Sequence, residues 1–455
     1  MNKKENKISK EIKINKKLAR RNYSNQTGIT LIALVVTIVV LLILAGVSLN
    51  AIFSENGIIK RAQDAQNKMN NAQESDLNAL NDLDKWINNQ VNGTTGGNTT
   101  GGNDNPSTTP KISTLVGKVV DKNTKAEDAY GNKITIPKGF KILEHNPTSN
   151  TGAVTYNYTN LEETGEHIPA VQDGIVIEDT QTGTAGNQFV WVPVGTIKNK
   201  NGSTNTITLG RYEFDSSTGA LKSTTPAQVA SVENCTKIVT ISKGGTDYQE
   251  LSTFREGNSA TNSTAQNATA RNLEEFISTT LANGGYYIAR FEASGTASKI
   301  TSKYNQTVLG NITQPNAAKV AREMYGEVKE NNELVYASDL VNSYAWDTAI
   351  VFIQTYSGKT DYASHNESIT TKAFTATGKN NDKYCNIWDM SGNAYEWTTE
   401  YSTSSHNSNF YPCVRRGGYY DTDSGVAINY TSARSYNNTT YSLSIVSLRS
   451  LLYVK

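Results

Sequence analysis

Residues 386–397 read NIWDMSGNAYEW, and Val414-Arg415-Arg416-Gly417-Gly418 follows shortly after. Trp388 and Trp397 bring large apolar groups to a chain with only 10 Phe in 455 residues, so they are expected to fill a loop-rich core. Gly392 allows a turn inside the stretch. Glu396 lies between Tyr395 and Trp397, a position that demands a partner for its charge.

Outward from this stretch, hydrophobic periodicity points to short strands separated by turns. Strands are expected at residues 114–120, 133–136, 139–143, 174–178, 189–194, 206–209, 237–241 and 286–291, with Tyr130-Gly131-Asn132 as a turn. Helices are expected at 272–282, 317–325 and 343–356. The first carries Leu273, Phe276, Ile277 and Leu281 on one face and stops at Gly284-Gly285. The second follows Pro315. The third presents Trp346, Ala349, Ile350 and Ile353 and ends at Gly358. The expected class is α+β with irregular loops.

Upstream, residues 92–110 read NGTTGGNTTGGNDNPSTTP. No side chain there can anchor a core, so the segment reads as a flexible tether with a reach of about 25 Å. Residues 58–91 keep a helical stripe, and residues 29–53, ITLIALVVTIVVLLILAGVSLNAIF, contain no charge. At a rise of about 1.5 Å per residue this run exceeds the roughly 30 Å core of a bilayer. Before it stand Lys3, Lys4, Lys7, Lys10, Lys13, Lys16, Lys17, Arg20 and Arg21 against Glu5 and Glu11. Such a leader stays cytoplasmic and sends the rest outside. The expected organisation is therefore a basic leader (1–28), a long transmembrane and stalk helix (29–91), a linker (92–110), a small β-rich segment (111–173) and a head (174–455). The expected location is the cell membrane, single-pass, with the head extracellular.

Net charge is +1, so no overall field directs the chain to nucleic acid. Tyr (24) outnumbers Phe (10), and Asn, Thr, Ser and Gly are abundant, which suits wet β surfaces. Cys235, Cys385 and Cys413 form no CxxC pair. They leave room for one disulfide without selecting it. The four histidines lie far apart, and no HExxH, GxSxG or phosphate-cradling loop is present.

The 386–397 stretch with Arg416-Gly417-Gly418 resembles the C-terminal half of the formylglycine-generating enzyme (sulfatase-modifying factor) family, whose fold is related to C-type lectins. Residues 189–195 (FVWVPVG), 285–292 (GYYIARFE) and 343–349 (SYAWDTA) are similar to further pieces of that family in the same order. The resemblance implies a calcium site at Asp389, Gly392, Ala394 and Glu396, whose hard oxygen donors suit that ion. It also places the family's copper-binding cysteine pair at Thr422 and Ala427, where no thiol stands. Cys413 lies on the wrong side of the signature. No copper is expected, and the head is expected to be non-catalytic.

Residues 419–447, YYDTDSGVAINYTSARSYNNTTYSLSIVS, lack Lys, Glu, Gln, Met and Trp. This composition resembles the variable region of proteins diversified by retroelements, which mutate adenines and so convert Asn codons to Tyr, Asp, Ser, Thr and others. The implied ligand-contacting residues are Tyr419, Tyr420, Asp421, Thr422, Asp423, Asn429, Tyr430, Tyr436, Asn437, Asn438 and Tyr441. Arg434, Leu448, Arg449 and Leu452 would be framework positions. An ordinary polar strand-and-loop segment has the same composition.

Gly28 followed by Ile29-Thr30-Leu31-Ile32 resembles the prepilin-type signal of type IV pilins and type II secretion pseudopilins. The resemblance implies a prepilin peptidase cutting between Gly28 and Ile29. Ala33 stands where that family has the Glu used in filament assembly. The leading expectation is a membrane-anchored adhesion protein whose head binds an extracellular protein or glycan. The alternatives are a structural pilus or pseudopilus component and, more distantly, a formylglycine-generating-type oxidase.

Overall fold

The structure is a computed structural model that describes residues 109–455 other than 162–163, 236, 238, 252–266, 332, 368–372, 407–408 and 422–429. Two sheets, of seven and six strands, organise the described residues. In chain order their strands are Phe140–Ile142 (β1), Val176–Asp179 (β2), Gln188–Pro193 (β3), Ile241–Lys243 (β4), Thr246–Gln249 (β5), Gly285–Ala289 (β6), Glu327–Glu330 (β7), Glu333–Leu340 (β8), Tyr395–Ser402 (β9), Cys413–Arg416 (β10), Arg434–Asn437 (β11), Val446–Leu448 (β12) and Ser450–Val454 (β13).

The seven-stranded sheet runs β7-β8-β13-β6-β3-β2-β1, antiparallel throughout. Its central strands β3, β6 and β13 are buried at every position, because both faces are covered. Alternate side chains along a strand point to opposite faces, and here each face feeds its own core. Val190, Val192, Tyr286, Ile288, Leu451 and Tyr453 enter one core. Phe189, Trp191, Tyr287, Ala289, Leu452 and Val454 enter the other.

Three α-helices pack on these cores. Leu273–Asn283 (α1) gives Leu273, Phe276 and Ile277 to the first core, and Ser343–Tyr356 (α3) gives it Trp346 and Ile350. Gln314–Glu323 (α2) gives Ala317, Ala318 and Ala321 to the second. Each has a polar cap that satisfies an orphan N–H. Asn272 accepts from Glu275, Thr313 from Asn316, and Asn342 from Ala345.

The six-stranded sheet runs β4-β5-β9-β10-β11, with β12 pairing parallel to the start of β9. Strands β12 and β13 are separated only by Arg449, so one residue carries the chain from one sheet to the other.

The expected fold class requires correction. Among the described residues strand outweighs helix, 35% to 14%, so the head is predominantly β rather than α+β. Its apolar residues are spent on short runs buried from both sides, which leaves three α-helices among the described residues. No helix among the described residues is long and apolar enough to cross a membrane. The single-pass anchor and membrane location expected from residues 29–53 are therefore not supported. That run, the stalk to residue 91, the Gly28–Ile29 junction and most of the 92–110 linker lie outside the described residues.

Smaller differences have local causes. The strand expected at 114–120 is a 3-10 turn, Ile112–Thr114, followed by isolated bridges at Val116 and Val119. Gly117 adopts φ +74 within it, outside the usual extended region, and turns the chain there. The strand expected at 237–241 begins only at Ile241.

Candidate functional site

The site is built on β9, β10 and β11. In the β10 register, Trp397 faces Arg415 and Glu396 faces Arg416, while Arg415 faces Ser435 and Arg416 faces Arg434. Period-two alternation therefore sends the adjacent arginines to opposite sides of the sheet.

Arg416 points inward. Its guanidinium pairs with Asp347 and with Glu400 at 3.2 Å. Arg434 reaches Glu400 at 2.9 Å and Asp347 at 2.7 Å, and Arg211 reaches Glu400 at 2.7 Å. All five side chains are buried. Burial by itself would raise the Glu400 carboxyl, but Arg434, Arg416 and Arg211 override it and hold it at about 2. This network fixes the underside of the sheet.

Arg415 points outward and is half-buried. Its guanidinium lies 4.1 Å from the Tyr395 ring centroid and 5.2 Å from that of Tyr441. It donates to Ser435 Oγ at 3.2 Å and to the Tyr441 hydroxyl at 3.3 Å. No carboxylate among the described residues comes within ion-pair distance of it. The rings continue outward: Tyr395 to Tyr419 at 5.1 Å, Tyr419 to Tyr420 at 5.4 Å, and Tyr420 to Phe374 at 5.6 Å. Trp397 supports Tyr441 edge-on at 6.2 Å. A guanidinium held among aromatic faces keeps free N–H donors for an anionic or planar polar group.

The structure thus sets Tyr441 against Arg415, with Tyr419 and Tyr420 one and two rings further on from Tyr395. Other residues read from the sequence lie apart. Tyr436 is exposed and packs beside Tyr411 at 6.2 Å. Tyr430 is only 9% exposed, its ring covered by the Lys243 ammonium at 4.9 Å. Asn437 ends β11 opposite Cys413. Asn438 Oδ1 accepts from the Thr440 N–H and hydroxyl. Asp421 is half-buried, and Thr422, Asp423 and Asn429 fall outside the described residues. Sequence reading named Arg415 as part of a signature but missed it as a surface group. The alternation of β10 was the available signal.

The loop that the resemblance assigns to calcium follows its composition closely. Asn386, Asp389, Gly392 and Asn393 all have positive φ, and these are the residue types that accept the left-handed region. A Cβ on Gly392 would meet the Glu367 carbonyl oxygen at 2.6 Å. The side-chain donors of that set already have partners in the structure. Both Glu396 oxygens are taken by Arg449, at 2.6 and 2.9 Å. Asp389 accepts from Asn380 Nδ2 at 2.9 Å and from the Gly378 N–H at 3.1 Å. The Ala394 N–H is donated to Glu292 at 2.9 Å. A guanidinium occupies the place of positive charge, and no cluster of metal-ligating side chains occurs among the described residues.

Cys235, Cys385 and Cys413 form no disulfide with one another. Cys385 packs against the first core and Cys413 lies inside the second. Burial pushes both thiols up, away from the thiolate a copper ion needs.

No protein-family model and no curated protein sequence matches the chain. Among solved structures, the Major Tropism Determinant U1 variant is 12% identical, with a TM-score of 0.24 over 76% of this chain and 98% of its own. The M1 variant is 12% identical, with a TM-score of 0.25 over the same shares. CarF is 11% identical, with a TM-score of 0.26 over 38% of this chain and 87% of its own. At these scores no residue role is carried over from any of them.

Proposed function

We propose that the chain is a ligand-binding, adhesion-type protein with a non-catalytic, C-type-lectin-like head, and that the surface around Arg415 contacts a protein or glycan. One observation carries the reading: a half-buried guanidinium without a carboxylate partner among the described residues, set among Tyr395, Tyr419 and Tyr441. Tyrosines give rigid amphipathic area at low entropic cost, and arginine is a frequent anchor of binding surfaces.

The burial pattern also supports a diversified region. Arg434, Leu448, Arg449 and Leu452 are buried, while Tyr436 is exposed and Tyr419, Tyr420 and Tyr441 are half-buried. Framework and contact positions would be interleaved in this way. A template repeat and a reverse-transcriptase gene beside the coding sequence would support that origin, and their absence would refute it.

The test is a glycan and protein array probed with the full chain, then with Arg415→Ala. Loss of the bound signal by roughly tenfold or more is expected, the scale of one anchor residue. Bound signals that survive both Arg415→Ala and Tyr441→Ser would overturn the reading.

A further inference from the structure

A cavity of about 410 Å³ is lined by Val116, Glu144, His145, Glu166, His167 and Ile168, among others. It shares no residue with the Arg415 surface, and its volume lies within the range that holds small molecules.

Two stacked imidazoles form one side of it. The His145 and His167 rings lie 3.9 Å apart and within 12° of parallel. Both are held by the backbone of a single residue. The Tyr156 N–H donates to His145 Nδ1 at 2.9 Å, and His167 Nδ1 lies 2.7 Å from the Tyr156 carbonyl oxygen. These partners assign opposite tautomers. Nδ1 of His145 accepts, so its Nε2 carries the hydrogen. A carbonyl only accepts, so neutral His167 has its hydrogen on Nδ1 and an open lone pair on Nε2. Burial, and after it the His167 and Lys383 charges, lower His145 below its usual 6.5, which keeps it neutral near pH 7. Across each ring, Nε2 points away from Tyr156. Neither Nε2 has a hydrogen-bond partner among the described residues, and both side chains are half-buried with neither Nε2 shut off from solvent.

The two atoms are set in place by the fold. Tyr156 is fully buried, and its hydroxyl donates to the Leu143 carbonyl at 3.0 Å and accepts from the Val176 N–H at 3.2 Å. His167 sits in the strand Glu166–Ile168, which pairs with Thr159–Leu161. One donor and one acceptor therefore stand side by side before any ligand arrives. Val116, Ile168 and Pro169 add apolar surface to the lining. Glu144 and Glu166 line the cavity too, and no lysine or arginine does, so an anionic ligand is disfavoured.

We propose that this cavity binds a neutral sugar through a vicinal diol, one hydroxyl oxygen accepting from His145 Nε2–H and its neighbour donating to His167 Nε2. The C–H face of the sugar ring lies against Val116 and Ile168. A primary amide offers the same two roles, but it is planar and small for a cavity of this size.

The experiment is saturation-transfer NMR on the full chain near neutral pH. The probes are methyl glucoside, methyl mannoside and methyl galactoside, which between them present trans and cis diols, with methyl glucuronide and acetamide as controls. At least one glycoside is expected to bind more tightly than about 10 mM. It should bind roughly tenfold more tightly than its 3-deoxy analogue, which has no adjacent hydroxyl pair, the scale of one hydrogen bond. In His145→Asn and His167→Asn an amide atom stands where Nδ1 stood, so the bonds to Tyr156 are kept and only Nε2 is lost. Each should weaken binding roughly tenfold, again one hydrogen bond. Arg415→Ala should leave binding unchanged, which separates this site from the proposed adhesive surface. Long-range proton–nitrogen spectra of the native chain should show the hydrogen on Nε2 of His145 and on Nδ1 of His167. The proposal is overturned by the same tautomer in both rings, by no glycoside signal at about 10 mM, a weak-binding limit, or by a 3-deoxy analogue that binds as well as its parent. Acetamide or the glucuronide binding more tightly than every neutral glycoside overturns it too, as does a folded Asn variant with native affinity. If neither Asn variant folds, the tautomers and the 3-deoxy comparison decide on the native chain.

Discussion

Arg415 and Arg416 are chain neighbours with opposite surroundings, one among tyrosine rings and one among buried carboxylates. Their substitutions should separate accordingly. Arg416→Met leaves Asp347 and Glu400 short of positive charge in the core and is expected to cost about 3–5 kcal/mol. Arg415→Ala should change stability by less than about 1 kcal/mol. Urea denaturation monitored by tryptophan fluorescence measures both, and equal losses would contradict the assignment of sides. Arg449 is a further case of the first kind. It binds Glu396 through two nitrogens and also donates to the Ala289 and Trp388 carbonyls, at 2.9 and 2.8 Å. Because this guanidinium neutralises Glu396, a chelator such as EDTA is expected to leave the melting temperature unchanged. A fall of several degrees would show that an ion is bound after all.

At the scale of elements, α3 is tied to β9 by one acid. Glu250 is buried and accepts from the Ser343 N–H at 2.8 Å, the Ser343 hydroxyl at 2.7 Å and the Thr399 hydroxyl at 2.6 Å. Burial raises it from 4.5 to about 7, with the Thr399 and Ser343 bonds pulling the other way. A folded-state value above the unfolded one means the native chain binds the extra proton. That contribution is complete below 4.5 and is lost as pH rises through about 7. Asp173 and Asp389, each raised to about 6 chiefly by burial, act in the same direction. Glu400 acts oppositely, and its contribution is lost as pH falls from 4.5 through about 2. Melting temperature should therefore decline between pH 5 and 8, and Glu250→Gln should flatten the decline. A native profile that rises across this window would contradict it.

The elements legible in the sequence were those whose signals are local. Ser343–Tyr356 was read with its observed bounds because its cap, its apolar face and Gly358 all lie within the segment. The 386–397 loop could be read as irregular from its Asn, Asp and Gly. Arg416 could not be assigned in the same way. Its partner Asp347 is 69 residues away, and Arg211, which shares Glu400, is 189 residues from that acid. Only the tertiary fold brings these groups together. The candidate surface was half legible: composition marked Tyr419, Tyr420 and Tyr441, but not the buried side of Tyr430 or the role of Arg415.

Over the whole molecule, the two sheets are not separable. Residues 446–454 supply β12 to one and β13 to the other, so both should melt together. Unfolding followed by far-UV circular dichroism and by tryptophan fluorescence is expected to give coincident midpoints. Removing residues 450–455 should abolish the cooperative transition altogether. A truncated chain that still melts sharply would show that the seven-stranded sheet closes without one of its central strands.

Strand β13 pairs on one side with β8 and on the other with β6, although both are made more than a hundred residues earlier. Until β13 has been made, those two strands present open backbone edges. The sheet can zip shut only after Val454 clears the exit tunnel. Until then the nascent polypeptide is vulnerable to edge-to-edge misassembly, and translational pausing between β8 and β13 would lengthen its dependence on a chaperone.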